Sequence, residues 1–266
     1  MAEAGPAVLV DRRDHVVVIT INRPEARNAV NLAVTAGIGE AMDDADRDPA
    51  VRAVVITGAG DASFCAGADL KAVAKGEPMF PEGREHWGFA GFTRHFISTP
   101  VIAAVNGTAL GGGTELVLAS DLAVAAEHAT FGLPEVKRGL IAGAGGAFRI
   151  AEQLPAKLAN EILLTGDPID AETALRWGLV NQVVSRGSHL DAALLFAERV
   201  AVNAPLSVAA SKRLARRVFG KSSEPQGDVE AWAASGAEGK KVLASADMRE
   251  GVTAFAKKRP PVWTGR

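Results

Sequence analysis

The chain has 266 residues, 48% of them hydrophobic, with a formal net charge of −2. That content can bury one large core or two small ones, and the charge balance offers no electrostatic case for nucleic acid as a partner. A single cysteine excludes an internal disulfide, and neither a signal-like start nor an apolar run long enough for a membrane span is present, so a soluble, cytoplasmic protein without a membrane partner is expected.

Residues 15–21 (HVVVITI) are a β-branched run stopped by Asn22-Arg23-Pro24 and predict a strand. Asn31 is placed to cap a helix running through Leu32, Ile38 and Met42. Residues 52–57 are nearly all apolar, as in a strand covered on both faces. Thr57-Gly58-Ala59-Gly60 begins like a dinucleotide fingerprint, but Ser63 stands where the third glycine belongs, so it reads as a strand-ending turn. In residues 64–70 the small neighbours of Gly67 let another group approach the backbone, and Asp69 could cap a following helix. Cys65 has no histidine near it in sequence and reads as a small buried residue. The Gly-, Pro- and Phe-rich stretch between Lys71 and Thr99 reads as a lid, a pocket wall or a plain surface excursion.

The stretch from residue 101 to 146 carries the features that point to chemistry. VIAAVNGTALGGGTELVLASDLAVA reads as a strand over residues 101–105, a turn with three consecutive glycines, a short helix bearing Glu115, and a strand over residues 122–125. TFGLPEVKRGLIAGAGGAFRI places Glu135 after a proline, followed by a second glycine-rich helix start at residues 143–146. Helix starts built from glycine present unpaired N–H groups and the positive end of the helix dipole. Glu115 lies in an otherwise apolar helix, where an ionisable group needs a partner or a task. Two carboxylates beside such donors suit proton transfer with stabilisation of an oxyanion. The five histidines have no metal-ligand spacing, and no metal site is expected.

Residues 180–184 predict one more strand. Beyond Gly187 only helical spacing remains, over residues 190–202, 205–218, 229–244 and 248–257. The division expected is an α/β core over residues 1–187 and a helical region over residues 188–266. Lys212, Arg213, Arg216 and Arg217 fall at helical spacing and read as a solvated face. No long-period repeat is visible.

Together FCAGADLK, VNGTALGGGTELVLASDL and FGLPEVKRGLIAGAGG closely resemble the crotonase (enoyl-CoA hydratase/isomerase) family, and the resemblance extends from ITINRPEARNAV to AFAKKRPPVW. It implies an α/β fold of repeated ββα units with a helical C-terminal extension, assembled as a homotrimer or a dimer of trimers. It also implies an acyl-coenzyme A thioester as substrate, with no cofactor beyond the coenzyme A that the substrate carries. By the same resemblance the Ala68 and Gly112 N–H groups form an oxyanion hole for the thioester oxygen. Glu115 and Glu135 match the two hydratase glutamates, one activating water for attack at Cβ and the other delivering a proton to Cα, with Glu135 at the usual donor position. Ala66, Asp69, Leu70 and Lys71 are implied to contact the substrate. Gly143 is implied to lie where a helix N-terminus orients the water, and Phe255 and Lys258 to reach a neighbouring subunit's coenzyme A.

Having both glutamates favours a hydratase. A crotonase-type isomerase or a dehydratase of a carnitinyl-CoA-like thioester is the alternative, and a non-catalytic acyl-CoA binder of the same fold would have been signalled by loss of a glutamate. Leu133 and Ala142 depart from the common hydratase pattern, which often has glutamine and proline there, and leave the acyl group open.

Overall fold

The computed structural model describes residues 5–218 and 225–265. A hairpin, β1 (Val8–Arg13) and β2 (Val16–Ile21), leads into α1 (Leu32–Arg47). Three units of long strand, short strand and helix follow: β3 (Ala53–Gly58), β4 (Ser63–Cys65) and α2 (Leu70–Ala74); β5 (Val101–Val105), β6 (Thr108–Leu110) and α3 (Gly112–Ala119); β7 (Leu122–Ala126), β8 (Thr130–Gly132) and α4 (Gly146–Gln153). The chain continues through α5 (Ala156–Thr165), β9 (Ile169–Asp170), α6 (Ala171–Trp177) and β10 (Gln182–Val184). It closes with α7 (His189–Ala201), α8 (Pro205–Ala215), α9 (Gln226–Ala244) and α10 (Ala246–Ala256).

The long strands form one sheet in the order β1-β2-β3-β5-β7-β10, parallel except for β1 against β2. Alternate side chains serve opposite faces of a strand. Val16, Val18, Val55, Ile102 and Val124 therefore pack with Ala193 and Ala197 of α7, while Ile19, Ile56 and Val105 share the main core with Val34, Ile38 and Met42 of α1. Both faces being covered accounts for the unbroken apolar runs.

The short strands form a second sheet, β4-β6-β8-β9, in which β4, β6 and β8 are parallel. Cys65 lies opposite Ala109, and Leu110 opposite Gly132. The loops that leave β4, β6 and β8 therefore emerge side by side, and they carry Ala66 to Asp69, Gly111 to Gly113 and Leu133 to Glu135. The repeat missing from the sequence is thus structural: three ββα units share geometry without sharing residues.

Asn31 caps α1, its side chain accepting from Val34 N at 3.1 Å, and Asp69 caps α2 through Lys71 N and Ala72 N. The stretch between Lys71 and Thr99 divides: residues 73–86 run largely exposed over the surface, and residues 87–97 form a packed wall. The stretch holds α2 and two 3₁₀ turns, Glu85–Trp87 and Phe89–Gly91, with the Trp87 indole buried against Gly39 of α1. The basic cluster in and just after α8 bears out the solvated-face expectation for Arg213 and Arg217, which are exposed, and corrects it for Lys212 and Arg216. Lys212 Nζ lies 2.7 Å from Asp121 Oδ2 and donates to Thr99 O, and Arg216 Nε reaches Asp121 Oδ1 at 3.4 Å. Burial pushes the Lys212 ammonium below its ordinary pKa. Spacing alone showed the cluster's periodicity but not the Asp121 that it faces.

Candidate active site

Gly111 follows β6 with φ 56°, a left-handed backbone that glycine tolerates freely, and the chain turns there into α3. Glu115 stands one turn into that helix and is 3% exposed. Its Oε1 accepts from Gly146 N at 2.9 Å, at the first residue of α4. A Cβ on Gly146 would fall 2.9 Å from both Glu115 Cγ and Oε1, so glycine is what lets the carboxylate reach the helix start. Burial first, and then the charge of Glu135, push the Glu115 carboxyl up to about 8; the N–H groups of Gly146 and Ala144 and the Arg149 guanidinium oppose that shift.

Glu135 sits in the 3₁₀ turn Pro134–Arg138 that follows β8. Its Oε1 faces Gly111, where a Cβ would lie 2.9 Å away. Its Oε2 is buried and has no hydrogen-bond partner among the described residues. Burial holds this carboxyl above its ordinary pKa as well. The pair is thus asymmetric in its partners: N–H groups and a guanidinium act on Glu115, whereas Glu135 Oε2 has no partner among the described residues, and burial with the charge of Glu135 still holds the Glu115 proton up to about 8.

Two N–H groups lie beside the pair. Val30 donates to Gly67 O and accepts from Asp69 N, leaving the intervening Ala68 N–H out of the bridge. Gly112 opens α3, so its N–H has no intrahelical acceptor. Among the described residues no acceptor is present for either. The loops are close: a Cβ on Gly67, which has φ 92°, would come within 3.3 Å of Gly112 N. The Phe89 ring lies against Gly112 and leaves no room for a side chain. Cys65, beneath these loops, is fully buried, and burial pushes its thiol up to about 12, so it stays neutral.

The sequence profile of the enoyl-CoA hydratase/isomerase family matches residues 11–266. The chain belongs to this family. It is 44% identical over 261 residues to the carnitinyl-CoA dehydratase of Citrobacter koseri, covering 96% of this chain and 97% of that one. Its structure is similar to that of carnitinyl-CoA hydratase from Mycobacterium avium, with TM-score 0.96, 58% identity and coverage of 98% and 99%. It is also similar to enoyl-CoA hydratase from Mycobacterium tuberculosis H37Rv, with TM-score 0.76, 48% identity and coverage of 98% and 100%.

The other residues singled out by the family resemblance are distributed as follows. Ala66 and Ala68 line the loop after β4, with Asp69 paired to Arg23 at 2.9 Å, and Leu70 and Lys71 exposed on α2. Gly143 lies three residues before α4, and the N–H groups that act on Glu115 are those of Gly146 and Ala144 instead. Leu133 is buried in the core, and Ala142 packs beneath Gly146. Phe255 is exposed, with the Arg138 guanidinium 4.6 Å from its ring, and Lys258 is exposed just past α10. The sequence reading placed a glycine-rich helix start at residues 143–146 without singling out Gly146 as the donor to Glu115, and it missed Phe89 and Arg149. Only Gly146 left a signal, as the last glycine of the GAGG run.

Proposed function

We propose that this chain reversibly adds water across the 2,3-double bond of trans-2-enoyl-CoA thioesters. The observation that carries the reading is the pair of buried carboxylates that act on one another, Glu115 held by Gly146 N–H and Glu135 facing Gly111, beside two N–H groups without acceptors among the described residues. In the hydration direction the Glu115 carboxylate takes a proton from water, and the oxygen adds to Cβ. The electron pair of the double bond moves toward the thioester, whose oxygen becomes enolate-like between Ala68 N–H and Gly112 N–H. Glu135, as the carboxylic acid, delivers its proton to Cα, and returning the proton from Glu115 to Glu135 closes the cycle. Base, acid and charge sink are all protein groups in this scheme. Ala66 and Asp69 to Lys71 border the thioester arm, and Gly143 begins the turn that leads to Gly146. The active unit is a homotrimer or a dimer of trimers, with Phe255 and Lys258 reaching a neighbouring copy's coenzyme A.

A second reading is dehydration of a carnitinyl-CoA-like thioester, favoured by the likeness to the Citrobacter koseri and Mycobacterium avium proteins. It uses the same residues in reverse. The test is a turnover panel of trans-2-enoyl-CoA esters of increasing length, followed by loss of the enoyl-thioester absorbance, with carnitinyl-CoA followed by its appearance. Hydration of the simple esters with the higher kcat/KM is expected. A higher kcat/KM for carnitinyl-CoA selects the second reading, and no turnover in either direction overturns both. In a crystal with an acyl-CoA, the thioester oxygen is expected about 2.7–3.2 Å from both Ala68 N and Gly112 N.

A further inference from the structure

Behind the glutamates lies a buried cation that the hydration scheme does not use. Arg149, one turn into α4, is 7% exposed. Its Nη1 donates to Thr93 O at 2.6 Å and its Nη2 to Asp228 Oδ2 of α9 at 2.8 Å. The guanidinium carbon lies 5.4 Å from the ring centroids of both Phe148 and Trp232, which meet edge to face. Three parts of the chain therefore converge on one side chain: α4, the wall that carries Phe89, and the C-terminal helix α9.

The guanidinium also presses on the turn that serves Glu115. A Cβ on Gly145 would lie 2.9 Å from Arg149 Nη1 and 3.2 Å from Trp232 Cη2, and the next residue, Gly146, donates to Glu115. Two charged groups act on Glu115, Glu135 from the turn after β8, which raises its proton affinity, and Arg149 from α4, which lowers it; Cys65 from β4 faces Glu115 as a neutral thiol. A buried ion pair is no better for stability than apolar packing of similar volume, so packing does not account for the charge.

We propose that Arg149 is a positioning residue that braces the 142–146 turn against Glu115 and favours the carboxylate form of Glu115, with Asp228 of α9 tempering its field. The proposal rests on the acid–base reading of the two glutamates. It makes the C-terminal helix part of the electrostatics of the site.

The test compares pH profiles of kcat/KM for enoyl-CoA hydration in the parent, Arg149→Met, Arg149→Lys and Asp228→Asn proteins. Losing the cation raises the proton affinity of Glu115, so Arg149→Met is expected to move the acid limb up by about 0.5–1 pH unit. Losing the counter-ion strengthens the field, so Asp228→Asn moves the limb down, and Arg149→Lys restores the parental position. Opposite shifts are what loss of packing alone does not produce. The same directions are expected in the 13C NMR titration of the Glu115 carboxyl, assigned with Glu115→Gln. If the parent hydrates no enoyl-CoA, the functional reading fails while the NMR titration still decides this proposal. If Arg149→Met does not fold, Asp228→Asn and Arg149→Lys carry the decision. Unmoved limbs and titrations in the folded variants, or shifts of the same sign, overturn it.

Discussion

A carboxyl group withdrawn from water holds its proton more tightly, and a second carboxylate nearby adds to that preference. Both effects act on Glu115, which is pushed from 4.5 up to about 8. Between those values the folded chain binds a proton that the unfolded chain has released, so stability falls as pH rises through the window. Glu115→Gln has no proton to lose there. Its Tm relative to the parent is expected to climb from pH 5 to pH 8; parallel Tm curves would exclude a raised Glu115. In turnover the same substitution removes the base, and Glu135→Gln removes the acid, each lowering kcat by roughly 10²–10⁴-fold. The double variant is expected to lose far less than the product of the two, since the groups act on one water and one substrate. Near-parental hydration by either single variant would remove it from the mechanism. Much of this pair was legible in the sequence, because an acid inside LVLA-type apolar surroundings is itself a signal. Arg149 left no such mark: an arginine in a short helix reads as solvated until Asp228, 79 residues away, is seen beside it.

Among the elements, the glycine-rich helix starts do the aiming. Gly146 and Gly143 look interchangeable in LIAGAGGAF, yet their surroundings differ. A methyl group on Gly146 meets Glu115, whereas on Gly143 its nearest neighbour is Ile141 O at 3.8 Å, and the Gly143 backbone is not left-handed. Gly146→Ala is therefore expected to displace the carboxylate and lower kcat by about 10²-fold, the scale of a 1 Å misplacement. Gly143→Ala is expected to leave kcat near the parental value. Equal losses in the two variants would mean that the turn acts as a whole and not through Gly146. Long buried strands were readable to within a residue or two, and β5 fell where the apolar run predicted it. The three-residue strands β4, β6 and β8 were not, because three residues are too few to express a period of two. Yet these short strands bring the three loops together. The chemistry-bearing residues were visible one by one, whereas the sheet that gathers them was not.

At the scale of the whole molecule, the C-terminal helices leave much apolar surface exposed. Val202 is 81% and Leu206 84% exposed, and Leu195, Leu214 and Val262 are exposed as well. Each such side chain gains about 1.5–3 kcal/mol on full burial, so several of them exposed favour a covering surface. In the same chain, α10 packs on the turn that carries Glu135: a Cβ on Gly139 would lie 2.6 Å from Asp247 O, and Phe255 lies against Arg138. The C-terminal region thus packs α10 on its own active-site turn and leaves apolar residues on and beside α7 and α8 exposed, an arrangement suited to joining copies. Light scattering at micromolar concentration is expected to give three or six times the 27.6 kDa chain mass. Replacing Val202 and Leu206 together by glutamate places charge where association requires apolar contact, and is expected to lower that mass and the turnover in parallel. A fully active species of single-chain mass would show that the site is complete within one copy, and would remove Phe255 and Lys258 from any role at a neighbour's coenzyme A.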